Sequence, residues 1–205
     1  MRPILVCAML FAIAGSIFFV NGQGSQQEKK SAAQTSDAKP ASDQIEVKTD
    51  RFSGVTTVSL KPQVILDKPE HQLRIRSETK LGDKKSHEWE MGTVATYVWL
   101  ESHYNRSVDY GDRKLAFLID GKPLDIGRTT GGSPTESTLK PAFKIMASFV
   151  SIFDRSKLEQ ISNGKGIEMR FGTVEATLSQ PVVMALREYA GQVLTLDKTT
   201  REKKT

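Results

Sequence analysis

Between Ile45 and Leu196 the chain is built of short alternating apolar and polar runs cut by Gly, Pro and Asp. A period of two is the mark of strands rather than helices. The tightest case is residues 166–178. If Gly172-Thr173 makes a two-residue turn, Phe171 opposes Val174, Met169 opposes Ala176 and Ile167 opposes Leu178, so one face is wholly apolar. The other face then pairs Arg170 with Glu175 and Glu168 with Thr177. A slip of one residue would lose burial and charge pairing together, because it turns every side chain to the opposite face.

The same alternation predicts strands over residues 44–48, 55–60, 63–66 and 73–77, with Lys61-Pro62 and Lys68-Pro69 as breaks. Proline offers no ladder donor and holds the preceding residue extended, which places these strands near an edge. Residues 93–102 differ, since Val94, Val98 and Leu100 take one face while Ala95, Tyr97 and Trp99 take the other. Apolar residues on both faces predict a central strand covered on both sides. Residues 115–119 form a further strand that turns at Asp120-Gly121, and Pro123 ends or bends the return.

Two helices are expected. Asp154 reads as a cap, with Leu158 and Ile161 facing inward and a left-handed stop at Asn163-Gly164. The second starts at Ser179, has Pro181 in its first turn, and buries a stripe of Val182, Leu186, Tyr189, Ala190 and Val193. The fold class is therefore α+β, with two helices in the C-terminal half packed on one face of a largely antiparallel sheet. Spacing leaves one sheet or two open.

The ends read differently. Arg2, an uncharged apolar run from Ile4 to Val20 and the polar or small pair Asn21, Gly22 follow the plan of a secretory signal cut after Gly22. At 17 residues the run also reaches the lower edge of a spanning helix, so an uncleaved, outward-facing anchor is the alternative. Either places the remainder outside the cytoplasm, periplasmic or secreted. Cys7, the one cysteine of the 205 residues, lies inside that run. A chain without it has no disulfide, no thiolate nucleophile and no cysteine metal ligand. Residues 23–44 are polar and lack apolar periodicity, which predicts a flexible linker. Residues 197–205 (DKTTREKKT) are expected to be a loose basic tail.

The combination LAFLIDGKPL, the following GRT and the run SKLEQISNGKGIEMRFGTVEATLSQPVVMALREYA resembles a type of uncharacterised secreted bacterial domain, in which a short helix, a hairpin and a closing helix follow one another. The resemblance covers about the last half of the chain. It implies an extracytoplasmic bacterial setting and carries no activity, substrate or site residue.

No Walker loop, CxxC pair, HExxH or GxSxG is present, and no catalytic residue is assigned. Three histidines stand in the chain, and His87, Glu101 and His103 are the residues from which a metal site could be built, because Glu101 and His103 project to one side of an extended strand. The plainer expectation is that these are exposed loop and strand-end residues. Residues 127–135 (GRTTGGSPT) offer backbone donors beside Arg128 for an anion, but read first as a flexible crossing loop. Tyr97 and Trp99 could stack on a sugar or peptide, with burial in the core as the simpler expectation, and charged neighbours leave Trp89 open. Asn105-Arg106-Ser107 matches a glycosylation acceptor, a chance match in a bacterial setting.

These features predict a non-catalytic extracytoplasmic module that binds a protein or an envelope component. The alternatives are a metal-assisted hydrolase and a membrane-tethered structural envelope protein. No cofactor is expected. Aromatic and basic residues do not interleave, so a nucleic-acid partner is not expected despite a net charge of +5.

Overall fold

A computed structural model describes residues 41–82 and 95–202. Strands dominate these residues and form two sheets. The first runs in the order β1 (Ile45–Thr49), β2 (Thr56–Lys68), β3 (His71–Leu81), β4 (Thr96–Tyr104), β8 (Ile145–Phe153), β7 (Thr130–Glu136). The second has the order β10 (Val174–Thr177), β9 (Ile167–Phe171), β5 (Lys114–Ile119), β6 (Lys122–Arg128). Every pairing is antiparallel. Helices α1 (Arg155–Asn163) and α2 (Gln180–Glu202) lie in the C-terminal half, so the domain is α+β.

The core sits on one face of the six-stranded sheet. Val58, Leu60, Leu73, Ile75, Val98, Leu100, Phe149 and Phe153 project inward from it. The second sheet covers the β8 side, where Phe117 meets Phe153 with centroids 5.8 Å apart and Phe149 meets Phe171 at 4.8 Å. Helix α2 covers the β2–β3 side. There the Tyr189 hydroxyl lies 2.8 Å from Thr79 Oγ1, which is itself 2.6 Å from Thr96 Oγ1. Three buried hydroxyls thus satisfy one another, as burial of polar groups requires.

The 166–178 hairpin forms in the expected register, with Phe171 opposite Val174, Arg170 opposite Glu175, Met169 opposite Ala176 and Glu168 opposite Thr177. Asp154 caps α1 by accepting a hydrogen bond from Lys157 N–H at 3.0 Å, and Leu158 and Ile161 are buried. The expected stripe on α2 is buried as well.

Several local expectations are corrected. The two strands expected over 55–60 and 63–66 are one strand, β2, whose register shifts across Lys61-Pro62. β1 pairs only with residues 56–60. Pro62 therefore lies past the end of its neighbour, where no partner carbonyl asks for its missing N–H. Pro123 does not end the return strand either, because β6 is an edge and continues to Arg128. Gly164 closes α1 in an extended conformation, φ −68°, rather than a left-handed one. Its glycine is required by space, since a Cβ there would come within 2.6 Å of Ile119 Cγ2.

The expected loop at 127–135 is mostly strand: it carries the chain from β6 in one sheet to β7 in the other. Glycines serve packing there, since a Cβ on Gly131 would lie 2.6 Å from Ser148 O. At the two ends, order reaches further than expected. Residues 41–44 form a 3-10 helix, where the Lys61 ammonium donates to Asp43 O at 3.0 Å. Residues 197–202 continue α2, because Asp197 is buried and accepts from Arg155 Nη1 at 2.6 Å and from Arg201 Nε at 3.1 Å. The remainder of both segments, and the signal-like run, lie outside the described residues.

Candidate functional site: the open face of the six-stranded sheet

Since β4 has β3 on one edge, β8 on the other and a core on one face only, its even-numbered residues 96–104 are buried. Tyr97 and Trp99 point the other way, toward solvent. This corrects the expectation of a strand covered on both sides. Tyr97 is 39% exposed and Trp99 half-buried.

Antiparallel register lays the outward residues in transverse rows, with directly opposed Cβ atoms about 4.5–5.5 Å apart. Val64, Arg74, Glu101 and Ser148 make one row, and Arg76, Trp99 and Val150 the next. Ser59, Glu78, Tyr97 and Ile152 make the third. Val64 and Ile152, 39% and 42% exposed, stand at the two flanks of this patch.

Its centre is pre-arranged. The Arg76 guanidinium carbon lies 4.2 Å from the Trp99 ring centroid, and the Tyr97 ring follows at 5.9 Å with 32° between the planes. Arg76 Nε donates to Glu101 Oε1 at 2.5 Å, and Arg74 Nε donates to Gln72 Oε1 at 2.6 Å. Both guanidinium planes are thereby held. Neither has a partner for its terminal nitrogens among the described residues.

Glu101 and His103, two of the three expected metal-site residues, are brought together: His103 Nε2 lies 3.9 Å from Glu101 Oε2. His87 and Trp89 lie outside the described residues. His103 is not an exposed strand end, as expected, but fully buried, because the connection between β7 and β8 folds over it. Its Nδ1 is 2.9 Å from Ser137 Oγ, its ring is 6.4 Å from that of Phe143, and its Nε2 is buried without a hydrogen-bond partner. Among the described residues no group of three or more His, Cys, Asp or Glu could hold a metal ion. Asn105 ties the same connection down, donating from Nδ2 to Ala142 O at 2.9 Å and accepting from Lys144 N–H at 3.0 Å. The nitrogen that glycosylation would use is already engaged.

A polar cluster that spacing did not suggest sits inside the core edge. His71 Nε2 is 2.8 Å from the Tyr110 hydroxyl and 3.2 Å from Ser102 Oγ, and Ser102 and Tyr110 also bond each other. Burial pushes the Tyr110 hydroxyl up to about 12, so it stays protonated at neutral pH. Ser102 has no exposed surface and cannot reach a substrate, so the cluster serves to join β3, β4 and the segment around Tyr110.

Both histidines titrate below the ordinary 6.5, chiefly because burial disfavours the imidazolium, with Lys68 adding to this at His71 and Arg74 at His103. The folded state therefore holds them neutral while the unfolded chain takes up protons as pH falls through 6.5. Stability should decrease from about pH 7.5 to about pH 5.5. Thermal melts across that window check this. The decrease should be shallower in His71→Asn and in His103→Asn, and a flat midpoint would contradict it.

The second sheet has a shallow depression of about 420 Å³ lined by Leu118, Pro123, Arg170 and Glu175 among others. Arg170 and Glu175 oppose each other across the hairpin. Comparison with protein-family models, with curated proteins and with solved structures found no match.

Proposed function

We propose that this domain is a non-catalytic, extracytoplasmic binding module that holds a protein or envelope component on the open face of its six-stranded sheet. The observation that carries the reading is the Tyr97–Trp99–Arg76 stack in the middle of that face, flanked by the exposed aliphatics Val64 and Ile152. A contiguous apolar patch at the surface, rather than a singly exposed side chain, marks an interaction site. Tyr, Trp and Arg are the residue types that dominate interface energetics. The export-like N-terminal run supports the compartment.

Binding through this face makes a separable prediction. Trp99→Ser with Tyr97→Ser should abolish co-sedimentation of the full chain with the envelope fraction of its source. The melting midpoint should move by only a few degrees, because neither ring contributes to the core. Co-sedimentation unchanged in the double variant would refute the reading.

A further inference from the structure

We infer that the connection between β7 and β8, residues 137–144, is a flap latched shut by the neutral imidazole of His103 and released when His103 takes up a proton.

The hold of this connection is small and local. Of its residues Ser137 and Phe143 are buried, and Phe143 lies against the His103 ring, outside the main core cluster. Lifting the connection therefore leaves the core in place. Segments with few buried contacts open at a lower free energy than the whole domain.

The latch bond fixes where a proton enters. Ser137 Oγ accepts from Leu139 N–H at 3.0 Å, which leaves its hydroxyl hydrogen to donate to His103 Nδ1 at 2.9 Å. Nε2 then carries the ring hydrogen and faces Glu101 Oε2 at 3.9 Å, where a hydrogen is favoured over a lone pair. The tautomer is assigned from these neighbours. A second proton enters at Nδ1, the nitrogen that accepts from Ser137, and so removes the acceptor of the latch.

The resulting charge has no partner while the flap is closed. Nε2 makes no hydrogen bond, and Glu101 stands out of reach with its Oε1 held by Arg76 at 2.5 Å. From β3 the opposed residue is the uncharged Gln72 with Arg74 beyond it, and from β8 it is Met146. In the connection Lys144 is exposed, and Lys140 pairs with Glu136 at the exposed side. Burial and Arg74 outweigh Glu101, which holds His103 below the ordinary 6.5 in the closed state. An uncovered imidazole takes up its proton at the ordinary value, so the open state binds more protons as pH falls. Opening gains at most about tenfold per pH unit. It uncovers Phe143 and the row Gln72, His103, Met146, which extends the open face beyond Glu101. That acid thereby enlarges a binding surface rests on the reading of this face given above.

The test is hydrogen exchange of the purified full chain, read by mass spectrometry at about pH 7.5 and about pH 5.5 and normalised to the intrinsic exchange rate at each pH. The amides of Ser137, Phe143 and Lys144 donate to Lys144 O, Leu139 O and Asn105 Oδ1. They should exchange faster than those of β4 and β9 at both values, and their protection should fall about fivefold or more on acidification. His103→Gln, which does not titrate, should abolish that fall, and His71→Gln should leave it. Ser137→Ala should speed exchange of the connection already at about pH 7.5, and it decides the matter if His103→Gln does not fold. Protection equal to that of β4 and β9, a response that survives His103→Gln, or wild-type exchange in Ser137→Ala would overturn the inference. Exchange reads the flap whether or not the open face binds anything, so either reading can fail alone.

Discussion

Gly172→Ala should destabilise the domain by more than about 4 kcal/mol, enough to threaten folding of a protein with the usual margin of about 5–15 kcal/mol. Gly172 opens the β9–β10 turn with φ +57°, and a Cβ there would lie 1.7 Å from Tyr110 O and 2.6 Å from Tyr110 C. Those atoms are backbone and cannot swing aside. They are also held in place, because the Tyr110 ring packs at 4.7 Å from Phe171 and the Gly172 N–H donates to Lys114 O at 2.9 Å. Gly54 supplies the control. It has φ +69°, and a Cβ there would meet nothing within 4 Å, so Gly54→Ala should carry only the left-handed backbone cost of about 1–2 kcal/mol. Urea unfolding of the two variants separates steric exclusion from backbone preference. A difference between them below about 1 kcal/mol would show that the Tyr110 segment yields easily.

Phe149→Ala should cost about 3–5 kcal/mol, near the upper end for a core truncation. Phe149 comes from β8 of the first sheet and reaches Phe171 of the second at 4.8 Å and Tyr110 at 5.2 Å, so it is one of the side chains that join the two layers. Neighbours cannot fill the space it leaves without moving a whole sheet. Phe149→Leu retains most of the volume and should cost less than half as much. Equal destabilisation by the two substitutions would mean that ring geometry, rather than cavity size, dominates at this position.

Elements whose periodicity closes within a few residues were legible. The 166–178 hairpin carries its own register, because burial on one face and charge on the other agree. Both helices were legible for a related reason, since the Asp154 cap of α1 and the apolar stripes of both are local. The ends of elements were less so. Residues 197–202 read as a charged tail, yet Arg155, 42 positions away, gives the buried Asp197 a partner that extends the helix. Residues 127–135 read as a loop, because glycine and proline also serve a strand that must pack closely on β8 and cross from one sheet to another.

The candidate site divides the same way. Alternation alone put Glu101 and His103 on one side of β4, whereas Arg74 and Arg76 were not singled out within the strand expected over residues 73–77. Spacing along one strand cannot say which strand lies beside it. That Arg76 stacks on Trp99, that Val64 and Ile152 flank them, and that His103 is covered by the β7–β8 connection depend on strand order.

The α+β class, the register of the last hairpin and the inward faces of both helices could be read from the chain, because each rests on interactions between residues near one another in it. The division of the described strands into two sheets, and the exposure of Tyr97 and Trp99, depend on contacts between distant parts of the chain. An apolar side chain on a strand is buried or exposed according to which layer lies over it, and among the described residues the second sheet and α2 cover the face of β4 opposite Tyr97 and Trp99.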